Sequence, residues 1–262
     1  MRGVSEMDEV AVLEWAYSPQ DYFEELISIK GEQYEMKIDG GKVEARMKAE
    51  VYDQNQNIRD ALNETLNGRF LGNQLLTHKP YQLSKPSMYK LHPNGQKDYH
   101  EFGEPAVIVM SVGSSDILVT DKDGKVVVDT RKDRIEKKKN LSELVEKYRA
   151  TNSIVAALVG SYHAAVMDPD NELVHLYEIR DALTVQFGGG DAVRNTLSIN
   201  RDEWSRFGYI ADKAPVKQGR HRGRNVGVLR DATEAELSEA RTFSRKLIEN
   251  YISYLASQPG NS

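Results

Sequence analysis

The strongest constraint on the fold is a change in hydrophobic period near residue 131. Before that point, apolar and polar residues alternate in segments such as 33–38 and 42–47, which is the period of a half-buried strand. The Gly40-Gly41 pair between these two segments predicts a hairpin turn. After residue 131, apolar residues recur every three or four positions, as they do on one face of a helix. The sequence therefore predicts an α+β protein, with strands first and helices afterwards.

The first half contains further segments with recognisable local patterns. A short helix is predicted at residues 57–67, whereas the four prolines of residues 72–105 favour an irregular connection. A turn at residues 121–124, Asp-Lys-Asp-Gly, favours a hairpin over a calcium loop, because the remaining ligand spacing and the distal Glu are missing. Three more strands are expected, at residues 106–112, 117–120 and 126–129.

The second half is predicted to be a bundle of four or five helices. Its apolar stripes and capping residues place the main helices at 141–167, at 171–187, after 200–203, and from 231 or 233 to near 258.

The charged run at residues 131–139 marks the predicted domain boundary. We expect a β-rich or α+β domain of unknown role over residues 1–130 and an all-α bundle over residues 131–262. The run itself is typical of a solvated linker or the start of a helix, and a nucleic-acid patch is the alternative.

Composition excludes several classes of chemistry. The chain has no cysteine, which removes disulfides, thiol nucleophiles and Cys-ligated metal sites. Residues 188–190, Gly-Gly-Gly, come directly after a predicted helix, and no Gly-Lys-Ser/Thr signature occurs, so a P-loop is disfavoured. We predict no metal site and no cofactor. The apolar stretch at 154–159 is far shorter than the ~20 residues of a membrane span, so we expect no membrane partner and a cytoplasmic location.

Three polar side chains, those of Asn152, His163 and Arg180, fall on predicted apolar helix faces. His163 is predicted to be a core histidine with a satisfied hydrogen bond, and a catalytic role is the alternative. Arg180 is costly on a core face unless it meets a carboxylate or faces a cavity. Glu178 or Asp181 could supply that carboxylate, so a buried ion pair and a phosphate-binding arginine both stay open.

A basic segment late in the chain carries the most chemical information. Residues 213–230 hold six Lys or Arg and no acid, and their centre is Arg220-His221-Arg222 between two glycines. Arginines bind phosphate and stabilise developing negative charge, whereas a histidine exchanges protons near neutral pH. This combination suits cleavage of a phosphodiester without a metal. A flexible basic loop with no specific ligand is the alternative.

The helical half resembles the HEPN superfamily, the higher eukaryote and prokaryote nucleotide-binding helical bundle. The resemblance covers residues 138–258 and rests on an apolar helix, a helix with an inner polar cluster, an Arg/His/Gly loop and a closing amphipathic helix. The segments 176–183 and 219–223 and the last helix are also similar to uncharacterised bacterial proteins, some of them labelled methylamine utilisation protein J. The resemblance does not extend to the first half.

The resemblance implies a function as well as a fold. Many HEPN proteins are metal-independent endoribonucleases of toxin and antiphage systems, and they pair two bundles around a shared site. Their motif places Arg several residues before His, a position where this chain has only Lys217. The arginine role would then pass to another residue, or the domain would be a non-cleaving relative. The predicted catalytic residues are His221, Arg220, Arg222 and Arg180, and the predicted binding residues are Lys217, Arg224, Glu178 and Asp181.

Two functions therefore stay open. One is an endoribonuclease of bacterial toxin or antiphage defence, with RNA or another phosphate-bearing ligand as its partner. The other is a non-catalytic module that binds nucleic acid or a nucleotide, or acts as a scaffold. We also expect a homodimer or a partner protein, because Tyr251, Tyr254 and Leu255 exceed what one apolar stripe needs and predict an exposed apolar face.

Overall fold

The computed structural model describes residues 9–100, 118–120, 126–224, 227 and 229–258. An antiparallel sheet precedes a helical region, so the predicted α+β class is confirmed. The predicted strand at 106–112 and the predicted turn at 121–124 lie outside the described residues. None of the helices within these ranges is long and apolar enough to cross a membrane.

Nine strands lie in the described part of the chain. They are β1 Val10–Ser18, β2 Ile27–Lys30, β3 Tyr34–Asp39, β4 Lys42–Lys48, β5 Gln82–Leu83, β6 Ser87–Leu91, β7 Lys97–His100, β8 Leu118–Thr120 and β9 Val126–Asp129. The main sheet has the order β2-β3-β4-β1-β6-β7, with β5 paired to β1, and β8 and β9 form a separate pair.

The predicted hairpin is the pair β3 and β4. Antiparallel pairing runs from Tyr34 opposite Met47 to Asp39 opposite Lys42. The two turn residues, Gly40 and Gly41, have φ values of +54° and +88°, a conformation that glycine adopts without steric cost. The glycine pair therefore fixes the register that buries one face of these strands.

Eight α-helices lie in the same part of the chain. They are α1 Ala49–Gln54, α2 Ile58–Thr77, α3 Thr130–Thr151, α4 Ser153–Met167, α5 Glu172–Phe187, α6 Gly190–Thr196, α7 Arg201–Gly208 and α8 Glu234–Ser257. Three short turns connect some of them: the 3₁₀ turns Pro169–Asn171 and Arg222–Arg224, and the π-helical turn Tyr209–Lys213.

Capping residues set where two of the long helices begin. The predicted capping box at the last helix is confirmed, because Thr233 and Glu236 hydrogen-bond each other's backbone at the start of α8. The single helix predicted over residues 141–167 is wrong. Asn152 has extended backbone, and its side chain accepts a hydrogen bond from the Val155 backbone N–H, so it ends α3 and caps α4.

The irregular connection predicted at residues 72–105 is also wrong in part. The helix expected at 57–67 continues to Thr77, and the strands β5, β6 and β7 lie between residues 82 and 100. The prolines Pro80, Pro86 and Pro93 lie between these elements. Proline disrupts hydrogen bonding only locally, so it separates short strands here without preventing them.

The chain divides into two compact units. One consists of Met1–Thr65 and Tyr81–Lys137, and the other of Leu66–Pro80 and Lys138–Ser262. The sequence indicates a division near residue 131. In the structure the division lies between Lys137 and Lys138, inside α3, and the part of α2 from Leu66 onward belongs to the helical unit.

The largely apolar helix α4 contributes to the core of the helical unit. Val155, Leu158, Val159 and Tyr162 of this helix are all buried.

The predicted exposed apolar face at the end of α8 is wrong. Tyr251 is 1% exposed and Leu255 is 9% exposed.

A third residue of that predicted face also has a partner inside the unit. The Tyr254 ring packs against the Phe187 ring of α5 at 5.5 Å between centroids. Tyr251 and Leu255 are thus buried and Tyr254 is only partly exposed, so these side chains do not form the exposed apolar face that the sequence predicts.

Two glycines of α2 allow it to approach α3 closely inside the helical unit. A Cβ added to Gly72 would lie 2.4 Å from the Ser142 Cα, and one added to Gly68 would lie 2.6 Å from the Glu146 Cα. Real Cβ atoms do not approach backbone this closely, so the two helix backbones would have to move apart.

We predict that Gly72→Ala lowers the free energy of unfolding by about 1–3 kcal/mol, because the added methyl group overpacks a backbone contact. Gly160→Ala is the matched control, since Gly160 is an exposed helical glycine whose Cβ would meet nothing within 4 Å. That variant is expected to be more stable by about 0.5–1 kcal/mol. Urea unfolding of both variants measures the difference. Equal stabilisation by the two substitutions would contradict the close contact.

Candidate functional site

The basic loop, residues 213–224, is held at its base by backbone hydrogen bonds. The Lys217 N–H donates to the Arg230 carbonyl at 2.9 Å, and the Arg230 N–H donates to the Pro215 carbonyl at 3.0 Å. The Arg220 N–H donates to the Ala211 carbonyl of the π-helical turn at 2.9 Å. These bonds place the centre of the loop against the end of the π-helical turn.

The two glycines of the loop have different surroundings. Gly219 is buried, and a Cβ there would lie 3.1 Å from a Val216 methyl carbon. A Cβ at Gly223 would meet nothing within 4 Å. The absence of a side chain at Gly219 therefore allows close packing within the loop and does not open space for a ligand.

Most basic side chains of the loop contact a polar group from another segment. The contacts are Arg220 Nη1 with Asp181 Oδ2 at 2.8 Å, His221 Nε2 with Asp212 Oδ1 at 2.8 Å, Lys217 Nζ with Asp231 Oδ2 at 3.0 Å, and Arg222 Nη2 with Asn171 Oδ1. Asp212 and Asp231 flank the loop in the sequence, whereas Asp181 brings a carboxylate to it from α5. Arg224 is exposed.

His221 and Asp212 form a partly exposed pair. Their side chains are 33% and 20% exposed. The carboxylate binds Nε2 and fixes the ring, while no described residue pairs with Nδ1. A histidine held in this way has one nitrogen free to exchange a proton with a ligand.

Arg180 has aromatic neighbours instead of the ion-pair partner that its position suggests. Its Cζ lies 4.3 Å from the centroid of the Trp204 ring and 5.2 Å from that of Tyr177. Nη1 donates to the Trp204 carbonyl at 3.3 Å. Burial lowers the pKa of Arg180, and the nearby Tyr177, Asp181 and Asp212 oppose that shift. Aromatic faces thus allow a half-buried guanidinium without a direct carboxylate contact among the described residues.

The structure brings together some of the predicted site residues but not all. Arg220 and Asp181 form an ion pair, and Asp181 is also a charged neighbour of Arg180. Glu178 instead accepts a hydrogen bond from Ser161 at 3.2 Å and lies 3.7 Å from His175. Asp181, and not Glu178, is therefore the carboxylate that pairs with Arg220, and its charge, like that of Asp212, acts on Arg180 from nearby.

His163 matches the prediction of a satisfied core histidine. Its Nδ1 lies 2.8 Å from the Gln74 side-chain oxygen, and burial lowers the pKa of the imidazole.

A buried polar cluster of His78, Tyr162, Glu172 and Arg241 was not apparent from the sequence. Glu172 is 1% exposed, and its oxygens receive hydrogen bonds from Arg241 Nε and Nη2 at 2.6 and 2.9 Å. His78 joins them, with Nε2 3.4 Å from Glu172 and Nδ1 3.3 Å from the Tyr162 hydroxyl. In the sequence, Glu172 has the pattern of an acidic residue in the first turn of a helix. Its partners are remote in sequence, so no local pattern predicts the cluster.

No family model matches the chain, and no curated protein and no solved structure matches it either. The resemblance to the HEPN superfamily therefore stays a prediction from the sequence of the helical half. Among the described residues, no group of three or more His, Asp or Glu side chains is arranged to hold a metal ion.

We predict that Gly208→Ala displaces the Arg180 guanidinium, because the new Cβ would lie 2.2 Å from Nη1 of Arg180. The end of a flexible side chain can move, so the fold is expected to persist. The measurement is the NMR resonance of the Trp204 indole N–H, assigned with Trp204→Phe. Gly208→Ala should shift this resonance and leave that of Trp15 unchanged. An unshifted Trp204 signal would show that Arg180 does not occupy this position.

We predict that His78 makes stability fall as the pH falls from about 6.5 to about 4. Burial and the Arg241 charge lower the pKa of His78 from 6.5 to about 4, and Arg241 already neutralises Glu172. Within that window the unfolded chain binds a proton that the folded protein does not, so unfolding becomes more favourable. The measurement is denaturant unfolding at about pH 7.5 and about pH 4.5.

The matched variant is His78→Asn, because asparagine tolerates the left-handed backbone at this position, where φ is +50°. We expect the variant to lose less stability between the two pH values than the parent protein does. An equal loss in both proteins would contradict the assignment.

Proposed function

We propose that this protein is a metal-independent endoribonuclease of the HEPN-like type, in which His221 transfers the proton. The observation that carries the proposal is the His221–Asp212 pair, 2.8 Å between Nε2 and Oδ1, directly beside Arg220 in the chain. A carboxylate-oriented imidazole next to a guanidinium is the combination that acid–base cleavage of a phosphodiester requires.

Each residue then has a defined role. Nδ1 of His221 accepts the proton of the attacking 2′-hydroxyl or returns one to the leaving oxygen, and Asp212 holds the ring in the required orientation. Arg220 and Arg180 bind phosphates of the RNA strand, and Arg220, next to His221 in the chain, stabilises the charge that develops on the scissile one. The partly exposed Arg220–Asp181 ion pair leaves the Arg220 guanidinium accessible from solvent, at 38% exposure.

The other basic residues of the loop take supporting roles in this proposal. Arg222 donates from Nε to the Gly219 carbonyl at 3.1 Å and from Nη2 to Asn171, so it anchors the loop to the start of α5. Lys217 forms an ion pair with Asp231, which precedes α8. Arg224 is exposed and adds attraction for the RNA backbone.

A role in bacterial toxin or antiphage defence, a cytoplasmic location and pairing of two bundles belong to the same proposal. They rest on the HEPN resemblance alone. If pairing occurs, it uses a surface other than the end of α8, where Tyr251 and Leu255 are buried in the unit's own core.

The second candidate function is binding without cleavage. Arg220 and Lys217 already form ion pairs with Asp181 and Asp231. Such pairing is typical of a loop whose main role is to stabilise the fold. Such a protein would retain nucleic acid or a nucleotide at the loop and leave it intact.

We predict that the protein cleaves single-stranded RNA in the presence of a chelator and that His221→Ala lowers the rate by ~100-fold or more while RNA binding is retained. Asp212→Asn should give a smaller loss, because the imidazole stays but is less well oriented. The measurement is RNA cleavage on denaturing gels, together with binding of a non-cleavable 2′-O-methyl RNA.

The matched control is His175→Ala, because His175 is also a half-exposed histidine next to an aspartate, with Nε2 3.3 Å from Asp168, but lies outside the loop. Its activity should equal that of the parent protein. Cleavage that survives His221→Ala would remove His221 from the mechanism. RNA that is bound but never cleaved would support the second candidate function.

A further inference from the structure

Two arginines of the candidate site share one aromatic ring. The Arg220 Cζ lies 4.6 Å from the centroid of Tyr177, and the Arg180 Cζ lies 5.2 Å from the same centroid. Both distances are within the range in which a guanidinium is attracted to an aromatic face. The two cations are therefore separated by no more than the sum of these distances, although they belong to α5 and to the basic loop.

Tyr177 is itself fixed by a series of aromatic contacts. Its ring stacks on Phe207 at 6.0 Å between centroids with an angle of 17°, and Phe207 packs on Phe243 of α8 at 5.0 Å. Phe207 is 1% exposed and Phe243 is 5% exposed, so this support belongs to the core. Trp204 then contacts the Arg180 guanidinium at 4.3 Å. Because Tyr177 is packed against core residues, its ring is a rigid support for the flexible arginine side chains.

We propose that Tyr177 is a positioning residue that holds Arg180 and Arg220 as one two-cation site for adjacent phosphates of an RNA strand. The RNA substrate class rests on the proposed function, whereas the site itself rests on the shared ring. We name the group of Arg180, Tyr177 and Arg220 the arginine–tyrosine stack. Like charges repel, so the two guanidiniums need both the ring and a nearby anion in order to stay together.

Asp181 supplies that anion in the structure. Its carboxylate accepts from Arg220 at 2.8 Å and is a charged neighbour of Arg180. The Asp181 side chain is 47% exposed and that of Arg220 is 38% exposed, so a dissolved anion can reach the pair. The carboxylate thus occupies the position that we assign to a phosphate, and a phosphate must compete with it. Arginine binds both groups through the same paired donors.

The test compares two substitutions of Tyr177 in the full chain. Tyr177→Phe keeps the ring and should bind RNA as the parent protein does, whereas Tyr177→Leu removes the ring and should bind more weakly. The probe is a fluorescent, single-stranded 2′-O-methyl RNA that cannot be cleaved at the 2′-hydroxyl. Binding is measured by anisotropy over a range of salt concentrations, and thermal unfolding verifies that each variant folds.

The salt dependence separates a positioning role from a purely structural one. Each phosphate contact on a single strand contributes about 0.7 to the slope of log affinity against log salt. Tyr177→Leu should therefore reduce the slope by up to about 1.4, if both contacts are lost. An unchanged slope in Tyr177→Leu would overturn the proposal, and so would an equal loss of affinity in Tyr177→Phe.

Two further variants keep the test decisive if Tyr177→Leu does not fold. Asp181→Asn removes the competing carboxylate, so it should raise the affinity for the same RNA. Asp231→Asn is its control, because Asp231 pairs with Lys217 and faces neither arginine of the stack among the described contacts. Asp231→Asn should raise the affinity less. Weaker RNA binding by Asp181→Asn than by the parent protein would contradict the competition.

The arginine–tyrosine stack and the proposed nuclease function can fail independently, and different results identify each failure. RNA that binds with the expected slopes but is never cleaved would refute the nuclease and support the stack. Cleavage that depends on His221, with KM unchanged in Tyr177→Leu, would support the nuclease and refute the stack.

Discussion

An ion pair between the buried Glu172 and the partly exposed Arg241 links two helices of the helical unit. It ties the first turn of α5 to α8, and His78 brings the residue after α2 to the same carboxylate. Glu172 is 1% exposed, so removal of Arg241 would leave a buried charge without its partner, at a cost of about 3–5 kcal/mol. The pair therefore helps to hold α5, which carries Asp181 and Tyr177, against α8.

The arrangement around the basic loop shows why local composition is a poor measure of local charge. The sequence from 213 to 230 contains six cations and no acid, yet in the folded unit Asp181 and Asp231 lie against Arg220 and Lys217. The potential at the loop is set by these contacts. A ligand consequently meets a set of ion pairs that it must rearrange, and affinity depends on how well a phosphate replaces a carboxylate.

Features governed by nearby residues could be predicted from the sequence, and those governed by distant pairs could not. The glycine pair at 40 and 41 and the capping box at Thr233 act within a few residues, and both predictions are confirmed. Asn152 lies on an apolar stripe, so periodicity continues through it, although its side chain caps the next helix. The rings around Arg180 and the Arg220–Asp181 pair depend on how α5, α7 and the loop pack, which no single segment encodes. The contact of Asp212 with His221 depends on the path of the loop between them.

The π-helical turn Tyr209–Lys213 sets the direction in which Asp212 points. Its backbone bond from the Ala214 N–H to the Tyr209 carbonyl, at 2.8 Å, spans one residue more than an α-helical bond. One extra residue rotates the rest of a helix by about 100° around its axis. Asp212 lies within this turn and contacts His221, so deletion of one residue here would turn its carboxylate away from the loop.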